Sequence, residues 1–210
     1  MKLQIAFDST DLEKSVDVAI QIADYADIIE IGSLLIYKYG IKAIETFRSH
    51  LPKKILLADA KIIDRGKDAS DLILNSGSDW LTVMAGTSKD VIHAACTEAH
   101  SLNKKVMLDL IDACSAGQSA LEAKSLGVDA ILFHQAYDES QPLLFLDKWD
   151  MVKSNTTIPI FVSAKIKHEN FDQILKIEPD GIVIGKTITL AENPVEQAKF
   201  FYELCCAKKN

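Results

Sequence analysis

The densest chemistry in this 210-residue chain lies in Asp59-Ala-Lys61-Ile-Ile-Asp64, where a carboxylate, an ammonium and a second carboxylate follow one another inside an apolar stretch, LLADAKII. In an extended segment, alternation puts Asp59 and Lys61 on one face, with Asp64 just beyond in a loop. An acid beside Lys61 keeps the amine charged in a partly buried place. There it can stabilise negative charge developing on a substrate oxygen, or relay a proton. A surface salt bridge is the plainer alternative, and the apolar flanks argue against it.

Four further ionisable residues close or interrupt short apolar runs: Asp8 after LQIAF, Glu30 in DIIEIG, Asp109 in VMLDL and His134 after AILF. Any single carboxylate of this kind could simply cap the following helix. Five runs that each deliver an ionisable group near their end are harder to assign to chance. Clustered carboxylates repel one another unless a cation is present, either a divalent metal or an interleaved lysine. Glu30 and Asp59 are hard oxygen ligands on neighbouring runs, which suits Mg2+, an ion that keeps several waters and takes one or two protein carboxylates. Zinc fits less well, because there is no HxxxH or cysteine cluster and His134 is the only histidine that closes a run. His50, His93, His100 and His168 fall in helices or loops and are expected at the surface.

The elements that must carry these residues alternate along the whole chain. Eight apolar runs read as strands, Leu3–Phe7, Ile28–Ile31, Ile55–Ala58, Trp80–Met84, Val106–Leu110, Ala130–Phe133, Ile158–Val162 and Gly181–Ile184, each apolar on both faces as in a buried parallel sheet. Amphipathic segments lie between them. Thr10 or Asp11 is the expected N-cap of the first, and Asn75-Ser-Gly77 and Leu126-Gly127 are expected stops. No GxGxxG follows the first strand and no composition break divides the chain, so a closed barrel is favoured over an open doubly wound sheet. The expectation is α/β, a single (β/α)8 TIM barrel domain over residues 1–210, with the polar run ends at the carboxyl rim where such barrels keep their chemistry.

Composition narrows the partners. Hydrophobic residues make up 48% and charged residues 25%, enough apolar material for a substantial core. The net charge of −7 and the scattered lysines argue against nucleic acid or an anionic membrane as the main partner. The chain has no apolar stretch of membrane-spanning length. Cys96, Cys114, Cys205 and Cys206 show no CxxC spacing and read as structural thiols in a reducing compartment, so a cytoplasmic location is expected.

On these residues the chain resembles the orotidine monophosphate decarboxylase suprafamily, whose hallmark is the DxKxxD motif seen here in LADAKIID. The likeness extends through MKLQIAFD, DIIEIGSLLI, DWLTV, VMLDLI, FHQAYDES and IGKTITLAENPVEQA, and is most specific over the first three strands. Within the family the chain looks most like 3-hexulose-6-phosphate synthases, and then like 3-keto-L-gulonate-6-phosphate decarboxylases. The resemblance implies a homodimer with active sites at the subunit interface, each completed by Asp64 of the partner subunit, with Mg2+ held by Glu30 and Asp59. It also implies an enediolate. In the synthases ribulose 5-phosphate loses a proton and the enediolate attacks formaldehyde; in the decarboxylases loss of CO2 creates the enediolate. His134 matches the residue that moves protons near the reacting carbon, and Lys61, Asp64, Asp109 and Asp8 complete the candidate catalytic set.

Two positions separate the branches. The decarboxylases are similar at LADAKI but carry Glu at the position of Asp109 and Arg at that of Tyr137; Asp109 looks like the synthases, and Tyr137 matches neither. Both branches carry a glycine pair after the seventh strand, where this chain reads Ser163-Ala-Lys165. Ser163 and Lys165 are therefore the candidate replacements in phosphate binding, together with Gly185 and Lys186 after the eighth strand. The readings to be weighed are an aldehyde-lyase of the synthase type, a sugar-phosphate decarboxylase, and a catalytically weakened barrel that only binds a sugar phosphate.

Overall fold

A computed structural model describes residues 1–139 and 144–207, apart from the side chains of Leu144 and Phe145. Eight parallel strands pair in chain order: β1 Lys2–Phe7, β2 Ile28–Ile31, β3 Ile55–Ile62, β4 Trp80–Met84, β5 Lys105–Asp109, β6 Ala130–His134, β7 Ile160–Ser163 and β8 Gly181–Ile184. The last strand returns to the first, with Lys2 opposite Gly181 and Ile5 opposite Ile184, so the expected (β/α)8 TIM barrel is the architecture. Outside it run α1 Leu12–Ile22, α2 Ser33–Tyr39, α3 Ile41–His50, α4 Gly66–Asn75, α5 Lys89–Ser101, α6 Ala116–Ala123, α7 Trp149–Lys153, α8 Phe171–Lys176, α9 Lys186–Thr189 and α10 Pro194–Ala207.

Local chemistry sets several limits. Asp11, one of the two expected N-caps, accepts from the N–H of Lys14 and opens α1. α4 stops at Asn75, as the sequence suggests. α6 gives up regular geometry at Ala123, yet the expected stop at Gly127 is where the helical path ends. Gly127 has φ +92°, which lets the N–H of Val128 reach back to the carbonyl of Ala123 at 3.0 Å. β7 starts at Ile160 instead of Ile158, because Pro159 has no N–H to give to the ladder. β5 lies one residue earlier than expected, and β6 extends through His134.

Two separate cores hold the barrel. The larger one, between strands and helices, is built from outward strand residues such as Ile5, Leu56, Val106 and Ile182 and helix residues such as Phe47, Ile92 and Phe201. The smaller one plugs the inside: Ala6, Ile28, Leu57, Trp80, Met107, Ala130, Leu132, Phe161 and Val183. Every strand contributes to the plug, and this fixes which alternate residues point inward.

At the amino ends of the strands one contact recurs. Asp27, Asp79, Asp129 and Asp180 each stand immediately before an even-numbered strand. Each carboxylate accepts the backbone N–H of a residue at the start of the preceding odd strand, Leu3, Leu56, Val106 or Ile160, at 2.8 to 3.0 Å. Four aspartate clasps thus tie the strands pairwise at the floor. Among the described residues no helix is long and apolar enough to cross a membrane. His50, His93, His100 and His168 are exposed, and all four cysteines are free thiols.

Candidate active site

The site lies one inward step above the plug. Two residues beyond Ala6, Ile28, Leu57, Trp80, Met107, Leu132, Phe161 and Val183 stand Asp8, Glu30, Asp59, Thr82, Asp109, His134, Ser163 and Gly185, one from each strand. Period-two alternation therefore converts the apolar layer into a polar one at the carboxyl rim. A cleft of about 350 Å3 opens over it, with Asp8, Glu30, Asp59, His134, Ser163 and Lys186 among its walls.

β3 departs from the expected limits. It does not stop before Asp59 but continues to Ile62, and its register with β4 shifts between Ala58 and Ile62. Within this irregularity Lys61 has φ +45°, a left-handed conformation uncommon for a lysine. Its N–H is held by Thr82 Oγ1 at 2.9 Å, and the same hydroxyl donates to Asp59 Oδ1 at 2.9 Å. Asp59 and Lys61 do share a face, as expected, but a bulge rather than plain alternation brings them there.

Lys61 joins two halves of the site. Its Nζ lies 3.1 Å from Asp59 Oδ1 and 2.9 Å from Asp109 Oδ2. Burial alone would lower its pKa; Asp59 and Asp109 override that and hold it above the ordinary lysine value. Asp109 is fully buried and receives, besides Lys61, Nδ1 of His134 at 2.9 Å and the N–H of Ile111 at 3.0 Å. Burial pushes its carboxyl up, but the His134 contact and then Lys61 outweigh it and keep it below the usual carboxylate value. An unbroken chain of polar contacts thus runs Asp59, Lys61, Asp109, His134.

The opposite wall is short of positive charge. Glu30 is buried, and desolvation, followed by repulsion from Asp59 and Asp8, lifts its pKa well above the ordinary value against a hydrogen bond from Gln4. Asp8 stands at the open rim, its pKa raised by partial burial in the cleft and then by Asp59. Gly32 allows this crowding, because a Cβ there would collide with Asp8 Oδ1 and the carbonyl of Phe7. Among the described residues no three His, Cys, Asp or Glu side chains converge tightly enough to hold a metal alone. The available donors are carboxylate oxygens, and two of them with water ligands match the needs of a hard divalent cation.

The basic residues gather on the other side. Lys186 Nζ donates to Tyr137 Oη at 2.8 Å and stands 4.2 Å from the ring centroid; Lys165 Nζ stands 5.1 Å from the same ring. The Lys186 hydrogen bond lowers the pKa of the Tyr137 hydroxyl. Ser163, Lys165, Gly185 and Lys186 all line the cleft. Lys165 does not point straight into it, because its ammonium donates to the carbonyl of Glu139 at 2.9 Å. The helix after Gly185, α9, spans only four residues, so positive charge at this end comes from the lysines more than from a helix dipole.

Asp64 lies apart from the other candidates. It is exposed, accepts from the N–H of Arg65 at 2.7 Å, and borders a separate surface hollow with Ile63, Arg65 and Leu72. Ile63 and Leu72 on that surface are 65% and 55% exposed, unusual for large apolar side chains. Two participants escape a sequence reading based on ionisable residues. Thr82 and Gln4 are neutral, yet each hydrogen-bonds a site carboxylate, and both have the inward parity that marks the rest. The last residue of the FHQAYDES segment, Ser140, lies outside the described residues.

Fold and site together define a (β/α)8-barrel enzyme with its polar groups at the carboxyl ends of the strands. Residues 1–201 match the model of the orotidine 5'-phosphate decarboxylase / HUMPS family, and the chain belongs to that family. A 3-hexulose-6-phosphate synthase of Staphylococcus aureus (strain USA300) is 33% identical over 203 residues, covering 95% of this chain and 96% of its own. The crystal structure of 3-hexulose-6-phosphate synthase from Salmonella typhimurium superposes with a TM-score of 0.92 at 27% identity, covering 99% of each chain. That of 3-keto-L-gulonate-6-phosphate decarboxylase from Vibrio cholerae gives 0.83 at 27% identity, covering 98% of this chain and 97% of that one.

Proposed function

We propose that this enzyme is a carbon–carbon lyase of the 3-hexulose-6-phosphate synthase type, joining ribulose 5-phosphate and formaldehyde through an enediolate. The observation that carries the reading is the Asp59–Lys61–Asp109–His134 chain of contacts facing a carboxylate wall; the resemblance, which gives the decarboxylases Glu at the position of Asp109, favours the synthase branch. Glu30 and Asp59 would hold Mg2+, which supplies positive charge for the developing oxyanion when bound.

The protein's own groups account for the remaining steps. Ionised Asp109 can only accept hydrogen bonds, so it fixes the proton on Nδ1 of His134 and leaves Nε2 as a base. His134 takes the proton from the carbon of ribulose 5-phosphate that becomes nucleophilic. The electron pair released from that C–H bond forms the new bond to the formaldehyde carbon, and the resulting alkoxide takes a proton back. Lys61, kept charged by two carboxylates, stabilises the oxyanion. Lys186 and Ser163 replace the backbone amides of a glycine pair in holding the phosphate, and Lys165 joins them on exchanging the Glu139 carbonyl for it. A homodimer brings Asp64 of the partner subunit to each site; the exposed Ile63 and Leu72 beside Asp64 support that interface.

The test is formation of hexulose 6-phosphate from ribulose 5-phosphate and formaldehyde, with Mg2+ and with EDTA, by wild type and Asp59→Asn. Activity that requires both the metal and Asp59 is expected. Release of CO2 from keto-gulonate 6-phosphate, with no synthase activity, would reassign the enzyme to the decarboxylases. Binding of a sugar phosphate without turnover in either assay would leave a barrel that only binds its ligand.

A further inference from the structure

Gln4 is the exception in the barrel interior. It stands on β1 two residues below Ala6, wholly buried, at the level of an otherwise apolar plug. Its Nε2 donates to Glu30 Oε2 at 2.6 Å, and among the described residues nothing hydrogen-bonds its Oε1. An amide buried with one end unused is less favourable for folding than an apolar side chain of similar shape. Among the described residues its side-chain hydrogen bond to the site goes to Glu30.

We propose that Gln4 is a positioning residue for the cation site, holding the Glu30 carboxylate in one rotation through its Oε2 and leaving Oε1 for the ion. The inference rests on the Mg2+ reading above. The terminal torsion of a glutamate is broad and nearly free. A donor fixed on one oxygen removes that freedom before an ion arrives, so less order has to be imposed on binding. Partners of this kind behind a metal ligand typically change affinity by about 10- to 100-fold. Thr82 stands in the same relation to Asp59 but also carries the N–H of Lys61, so replacing it would disturb β3 as well. Gln4 has no such second duty and is the cleaner probe.

The experiment measures Mn2+ affinity by electron paramagnetic resonance of the free ion, alongside the melting temperature of the metal-free protein. Gln4→Met, which keeps length and loses the donor, is expected to bind Mn2+ about 10- to 100-fold more weakly while melting at or above the wild-type temperature. Gln4→Asn, which keeps the amide but withdraws it from Glu30, is expected to lose affinity in the same direction. A lowered melting temperature with unchanged Mn2+ affinity would assign Gln4 a structural role and overturn the proposal. Wild-type protein that binds no Mn2+ would sink the Mg2+ reading and this inference with it.

Discussion

Nδ1 of His134 stands 2.9 Å from Oδ2 of Asp109, an oxygen that also takes Nζ of Lys61. The carboxylate therefore serves two functions at once, selecting the imidazole tautomer and anchoring the ammonium. Asp109→Asn presents an amide that can donate to Nδ1 and favour the wrong tautomer. We expect kcat to fall by about 10^2 to 10^4 with a smaller change in KM. Steady-state kinetics on the purified variant decides this, and an unchanged kcat would remove His134 from the proton path.

Lys186 offers a contrasting prediction. In the proposed reaction its charge would serve ground-state recognition of the phosphate, which is the same before and after the carbon–carbon bond forms. Lys186→Met should raise KM for the sugar phosphate by about 10- to 100-fold, the usual worth of one charge-assisted hydrogen bond, and leave kcat nearly intact. A loss confined to kcat would show that the lysine acts on the reacting end instead.

The proposed sharing of each site between two subunits makes its own demand. Asp64→Asn and Lys61→Ala proteins should each be inactive, yet mixing them under conditions that exchange subunits should restore activity, because one site of the mixed dimer then has both residues. No recovery after exchange has been verified by mass spectrometry would mean that Asp64 acts within its own chain or not at all.

Asp79 lies at the floor, remote from the cleft, and its effect is on stability. Burial pushes its carboxyl up, but Lys104, the N–H of Leu56 and Arg48 outweigh burial and hold the pKa below the ordinary value. A folded-state pKa below the unfolded one contributes stability above the unfolded value, near 3.9, that is lost as pH falls through the folded value. Asp79→Asn should cost on the order of 2 kcal/mol at neutral pH and flatten the acid limb of a denaturation profile. kcat/KM at assay temperature should stay at wild type.

Much of this site was legible before the fold was known, for a simple reason. A strand buried on both faces must be apolar throughout, so an Asp, Glu or His that closes the run stands out, and Asp8, Glu30, Asp59, Asp109 and His134 are the same inward step on five strands. Thr82 and Gln4 obey the same parity but sit inside their runs as neutral residues that strands commonly tolerate. The left-handed backbone at Lys61 has no local signature, since only the register slip against β4 requires it. The partners of Lys165 and Lys186, the Glu139 carbonyl and the Tyr137 hydroxyl, come from the loop after β6. No spacing in the sequence announces contacts made across the barrel mouth.

The four aspartate clasps at the floor have a consequence for how this enzyme can change. Each fastens its own pair of strands, so the alignment of the barrel is specified in independent quarters, and damage to one leaves three in place. Tyr137 and Lys165, in the loops at the mouth, make no such strand-to-strand contact. Redundancy below gives licence above: side chains such as Tyr137 and Lys165 can be exchanged for other chemistries without putting the barrel's closure at risk, and new specificities are most readily sought at those positions.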